Sequence, residues 1–143
     1  MSREAYSPPS IRDVEAPKLD AIVEVMFLAA FADGDFGPEE RAHFVKSIES
    51  LTDRSLSGRT LERLITRITS DLQAQGRAAR LAAVRARLPD PGARKAALDL
   101  AIQLTVADGI IRTSEREMIL EAADALGIDR DAAADMVAKL APK

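Results

Sequence analysis

Ala32-Asp33-Gly34-Asp35-Phe36-Gly37-Pro38-Glu39-Glu40 closes one apolar helical pattern and opens another. Upstream, Leu19, Ile22, Val23, Met26, Phe27, Ala30 and Phe31 recur three and four residues apart, so the spacing predicts a helix from Pro17 with these side chains on one face. Gly34 can take the left-handed conformation that ends a helix at little cost. Downstream, Pro38 suits the first position of a new helix, where its missing N–H would have no intrahelical partner. Phe44, Ile48 and Leu51 then continue one face.

The break decides the fold because it occurs twice. Ala107-Asp108-Gly109-Ile110-Ile111-Arg112-Thr113-Ser114-Glu115 stands 75 residues later. Val23, Phe27, Ala30, Asp33, Gly34, Glu40, Arg41, Phe44 and Leu51 fall in register with Leu98, Ile102, Thr105, Asp108, Gly109, Glu115, Arg116, Ile119 and Leu126. Apolar faces, the break and the charged pair all keep step, which argues for two related helix-loop-helix units.

Between them, Leu61, Leu64, Ile65, Ile68 and Leu72 predict a third helix with Ser57 or Thr60 as N-cap, which Gly76 breaks or kinks. Leu81, Val84 and Leu88 predict a fourth, stopped by Pro89-Asp90-Pro91-Gly92. After the fifth and sixth helices, Gly127 closes the sixth and Asp129 caps a seventh carrying Ala133, Met136, Val137 and Leu140. The expected fold is all-α: a bundle of about seven helices built from two pseudo-symmetric helix-loop-helix halves. Residues 1–16, polar and holding Pro8-Pro9, read as a flexible arm, and 17–143 as a single domain.

Composition agrees. At 143 residues the chain can bury a real core, and its 47% hydrophobic content is carried by Ala, Leu, Ile and Val with only 3% aromatics, which favours helices. There is no cysteine, hence no disulfide, thiolate metal site or thiol chemistry. The first residues contain no apolar run resembling a signal peptide, and Val25 to Ala32 falls far short of the roughly 20 residues that span a bilayer. A cytoplasmic protein is expected, with membrane association peripheral at most.

The chemistry at the repeated break is that of carboxylates. Asp33 and Asp108 end helices, where the macrodipole makes an acid unfavourable by about 0.3–1 kcal/mol unless something positive compensates. Two readings follow. In the first, each Asp accepts hydrogen bonds from the free N–H groups opening the next helix, and Glu40 and Glu115 act as first-turn acids that brace the same loop. In the second, Asp33, Asp35, Glu40, Asp108 and Glu115 hold a divalent cation; hard oxygen donors suit calcium or magnesium. The spacing is not that of an EF-hand, since the sixth position from Asp33 is Pro38 and the twelfth is Phe44.

His43, the one histidine, completes a Glu-x-x-His with Glu40, the spacing found in di-iron bundles, but its counterpart is Met118 and the second half of such a site is missing. No phosphate-cradling glycine loop and no nucleophile turn is present, so no enzyme, no catalytic residue and no small-molecule substrate is expected.

Charge is uneven. The chain carries −3, yet residues 53–95 hold ten basic side chains against four acids and are +6. Within that segment Arg59, Arg63 and Arg67 recur every fourth residue and line one helix ridge. They are a candidate anion- or partner-binding face, for an acidic protein, anionic lipid headgroups or a nucleic acid. The absence of any aromatic in 53–95 on which bases could stack argues against nucleic acid. The alternative is a solvated ridge that balances the acidic helices.

Ala30-Phe31-Ala32-Asp33-Gly34 and Thr105-Val106-Ala107-Asp108-Gly109, each followed by an acid six or seven residues on, resemble the TerB-like family of tellurite-resistance proteins. They are also similar to the N-terminal module of certain membrane-anchored DnaJ-like co-chaperones. Leu56-Ser57-Gly58-Arg59-Thr60-Leu61 and Leu126-Gly127-Ile128-Asp129 add to the likeness, which covers roughly residues 17–140. The resemblance implies a seven-helix bundle of two pseudo-symmetric halves, non-enzymatic and linked to bacterial stress response; a binding or adaptor module presenting acidic and basic faces to protein partners is expected. It also implies divalent-cation binding at Asp33, Glu40, Asp108 and Glu115. Copy two has Ile110 and Ser114 where copy one has Asp35 and Glu39, so its site is poorer in ligands.

Overall fold

In the computed structural model, residues 16–31, 37–52, 54, 56–105 and 113–140 are described, and among them the chain forms seven α-helices and no strand. The first, α1 (Ala16–Ala30), is the axis of the fold and packs against α4 (Arg77–Arg87), α5 (Pro91–Thr105) and α6 (Thr113–Ala125). The apolar spacing predicted a helix with one buried face, but every residue from Ala21 to Ala29 is buried. The reason is in the sequence between the spaced positions: Ala21, Val25, Leu28 and Ala29 fill the remaining faces, and a helix apolar all round belongs inside. The start at Ala16 puts that residue in the helix; the rest of the expected arm lies outside the described residues.

Local chemistry sets the ends. Helix α2 (Pro38–Leu51) begins with Pro38 at its first position after the N-cap Gly37. It ends at buried Thr52, whose Oγ1 donates to the Ile48 carbonyl at 2.7 Å and accepts from the Leu56 N–H at 3.3 Å. Phe44 from α2 meets Phe27 of α1 and Phe31 just past its end, with ring centroids 5.6 and 5.5 Å away at steep angles.

Helix α3 (Gly58–Gln75) takes Ser57 as N-cap and buries Leu61, Leu64, Ile65 and Ile68. Gly76, with φ +87°, separates it fully from α4, a conformation that a side chain would strain. Pro91 opens α5 while the Asp90 carboxylate accepts the Ala93 N–H at 3.2 Å. Helix α6 closes with Ile128 N–H donating to the Ala123 carbonyl at 2.8 Å around Gly127, the six-to-one bond of a left-handed cap. Asp129 then receives the Ala132 N–H at 3.2 Å at the head of α7 (Arg130–Leu140).

Candidate functional site

The repeated loops join α1 to α2 and α5 to α6. Asp33, Asp35 and Asp108 lie outside the described residues, so only the acids at the loop exits are placed. Glu40 is exposed in the first turn of α2, and its Oε1 accepts the Gly37 N–H at 3.0 Å. This is the reach-back half of a capping arrangement, with a glycine in place of a hydroxyl residue at the N-cap. Glu115 is half-buried in the first turn of α6. The two acids therefore sit equivalently, each one turn inside the helix that follows its loop. Among the described residues no group of three or more His, Asp and Glu side chains is placed to share a metal ion. His43 is exposed on α2, while Met118 at the matching position is buried.

The basic segment does not present a single face. Arg80 points inward from α4 and is 6% exposed; its Nε donates to Glu24 Oε2 at 2.7 Å and its Nη2 to Glu24 Oε1 at 2.9 Å. Gln75 takes a third bond from Nη1 at 3.2 Å. The hydrogen bonds to Glu24 hold the guanidinium in its charged form more firmly than usual, against the opposing effect of burial. Arg77 pairs with Glu121 at 2.8 Å, and Arg85 and Arg94 donate to the Ala125 and Leu126 carbonyls. Cations at the C-terminal end of α6 complement its dipole. Arg77, Arg80, Arg85 and Arg94, four of the ten basic side chains, thus join α4 or α5 to other parts of the bundle.

Neither Glu24 nor Arg80 stood out as a pair in the sequence. The available signal was an acid inside the apolar run from Ala21 to Ala29, since a buried carboxylate demands a partner. Nothing in the spacing said that the partner would come from position 80.

The ridge formed by Arg59, Arg63 and Arg67 is as expected on the exposed side of α3. The three line an open groove of ≈ 450 Å³ together with Glu62, Thr66, Ser70 and Asp71. Their states differ. Arg67 lies 3.7 Å from Asp20 of α1 and 4.0 Å from Asp71, and Asp71 in turn lies 3.8 Å from Arg80. Asp20, Arg67, Asp71, Arg80 and Glu24 therefore form one chain of alternating charges that runs from the surface into the core and ties α1, α3 and α4. Burial raises the Asp20 carboxyl above its ordinary value, outweighing the pull of Arg67 and Arg87 in the other direction. Glu62 is held by Arg41 of α2, at 2.6 Å. Arg59 and Arg63, by contrast, have no carboxylate within ion-pair distance among the described residues.

Compared with known proteins, residues 19–138 match the family model described as tellurite resistance protein TerB. Neither the curated proteins nor the solved structures give a match. Among the described residues no helix is long and apolar enough to cross a membrane.

Proposed function

Because the chain belongs to the TerB family of tellurite resistance proteins, we propose that it is a non-enzymatic, cytoplasmic adaptor of bacterial stress response whose acidic interhelical loops take up a divalent cation. The family match over residues 19–138 carries this reading. Its donor set would be Asp33, Asp35 and Glu40, with Asp108 and Glu115 secondary. All five are carboxylates, the donor chemistry of calcium and magnesium sites, and Glu40 keeps Oε2 clear of its helix-capping bond. A bound cation would neutralise the acids of a loop and fix its shape.

The match in register of the two loops also supports a duplicated unit. Val23, Phe27 and Phe44 are buried, as are their counterparts Leu98, Ile102 and Ile119. Calorimetric titration with calcium and with magnesium tests the proposal: at least one site is expected in the wild-type chain and a weakened one in Asp33→Asn. No heat and no thermal stabilisation at millimolar ion would overturn it.

The Glu40 to Gly37 bond favours a second reading, in which the loop acids brace the backbone without metal. On that reading Asp33→Asn and Asp108→Asn lower stability equally in calcium and in chelator. A loss confined to calcium-containing buffer contradicts it.

A further inference from the structure

Arg59 and Arg63 are exposed and have no carboxylate within ion-pair distance among the described residues. They sit one turn apart on α3, about 6 Å along its axis. Arg67, one turn further, is fixed by Asp20 and Asp71 and extends the row. We infer that the outer face of α3 is the docking surface for an acidic segment of a partner protein, with Arg59 and Arg63 as its anchors. The inference rests on the adaptor reading above and supplies its surface.

Charge and spacing favour this occupant. Carboxylates one turn apart on a helix, or two residues apart on an extended strand, repeat at about 6–7 Å and match the arginine row. Each guanidinium can grip a carboxylate through two parallel N–H bonds, and arginine is enriched among residues that dominate interfaces. The groove is open, unsuited to enclosing a small molecule, and Thr66 and Ser70 line it beside the arginines.

Its own acids point the same way. Glu62 and Asp71 interrupt the row and would repel a continuous polyphosphate or a layer of anionic headgroups, whereas a peptide can place its acids between them. Stacking platforms for bases are missing from residues 53–95. The chain as a whole carries −3, so recognition rests on the local charge of this face.

The full-length chain, labelled with nitrogen-15, is titrated at low salt with poly-L-glutamate, oligouridylate and phosphatidylglycerol vesicles. Poly-L-glutamate is expected to shift amides of residues 59–71, and Arg59→Ala/Arg63→Ala to weaken it about tenfold or more at unchanged melting temperature. Undiminished binding by that variant overturns the inference. So does tighter binding of oligouridylate or vesicles, or self-association that the variant abolishes, which would make the occupant a second copy. Should the calcium titration succeed while poly-L-glutamate fails to bind, only this surface is lost; the cation reading stands.

Discussion

Arg80 and Glu24 meet through two hydrogen bonds, of 2.7 and 2.9 Å, at a point where the carboxylate is fully buried and the guanidinium nearly so. The pair locks α4 against the central helix in one rotational setting. Removing one partner leaves the other buried and uncompensated, so Arg80→Ala should cost about 3–5 kcal/mol. Replacing both with Met should recover most of that, because an apolar pair of similar volume avoids the desolvation penalty altogether. Urea denaturation of the two variants checks this; a cost below about 1 kcal/mol for Arg80→Ala would mean that the pair contributes little.

Glu40 separates capping from cation binding. Glu40→Ala loses the acceptor for the Gly37 N–H and should destabilise the chain by about 0.5–2 kcal/mol. Glu40→Gln keeps a carbonyl oxygen that can accept the same bond while giving up the charge. Its stability in chelator should stay near wild type, and its calcium affinity should fall. Equal behaviour of Glu40→Gln and wild type in calcium titration would leave Glu40 with capping alone.

How much of this was legible in the sequence depends on whether the determining chemistry is local. Pro38, Gly76, Gly127 and Asp129 act within a few residues of themselves, and the helix ends they predict are where the structure puts them. The first-turn position of Glu40 follows from the same rules. The all-round burial of α1 lies in its apolar composition and not in its three-and-four spacing, and the Glu24–Arg80 pair spans 56 residues, so neither has a periodic signature. The spacing of Arg59, Arg63 and Arg67 predicts one ridge; that Asp20 holds Arg67, while Arg59 and Arg63 have no carboxylate within ion-pair distance among the described residues, is set by tertiary packing. Asp33, Asp35 and Asp108 remain expectations of sequence and family.

Asp20 gives the fold a pH dependence of definite sign. Its folded carboxyl titrates above the ordinary aspartate value of 3.8, because burial outweighs Arg67 and Arg87. The stability that its protonated form contributes is fully present below that value and is lost as pH rises through the raised one. Asp20→Asn cannot titrate, so its melting temperature relative to wild type should climb between pH 3 and pH 7. A relative fall over that range would show that attraction to Arg67, 3.7 Å away, wins instead.

Gly127 should be intolerant of a side chain, for two separable reasons. Its φ of +74° costs an ordinary L-residue about 1–2 kcal/mol, and an added Cβ would lie 3.3 Å from Arg85 Nη2. The arginine tip can move, so the backbone term dominates. Gly127→Ala is expected to lose about 1–2 kcal/mol in urea denaturation, and adding Arg85→Ala should not restore it. Full recovery in the double variant would place the cost in the contact.

If the loops bind a cation, they should do so unequally. The first copy has Asp33, Asp35 and Glu39 with Glu40 at the loop exit, whereas the second pairs Asp108 with Ile110, Ser114 and Glu115. Calcium affinity rises with the number of charged oxygen donors, and two acids leave most of a six- to eight-fold oxygen shell to water or backbone. Asp33→Asn should therefore weaken calcium binding by about tenfold or more, and Asp108→Asn by only a few-fold. Isothermal titration of both variants against wild type decides. Equal losses would mean that the two loops contribute to one shared site, and a larger loss in Asp108→Asn would overturn the asymmetry.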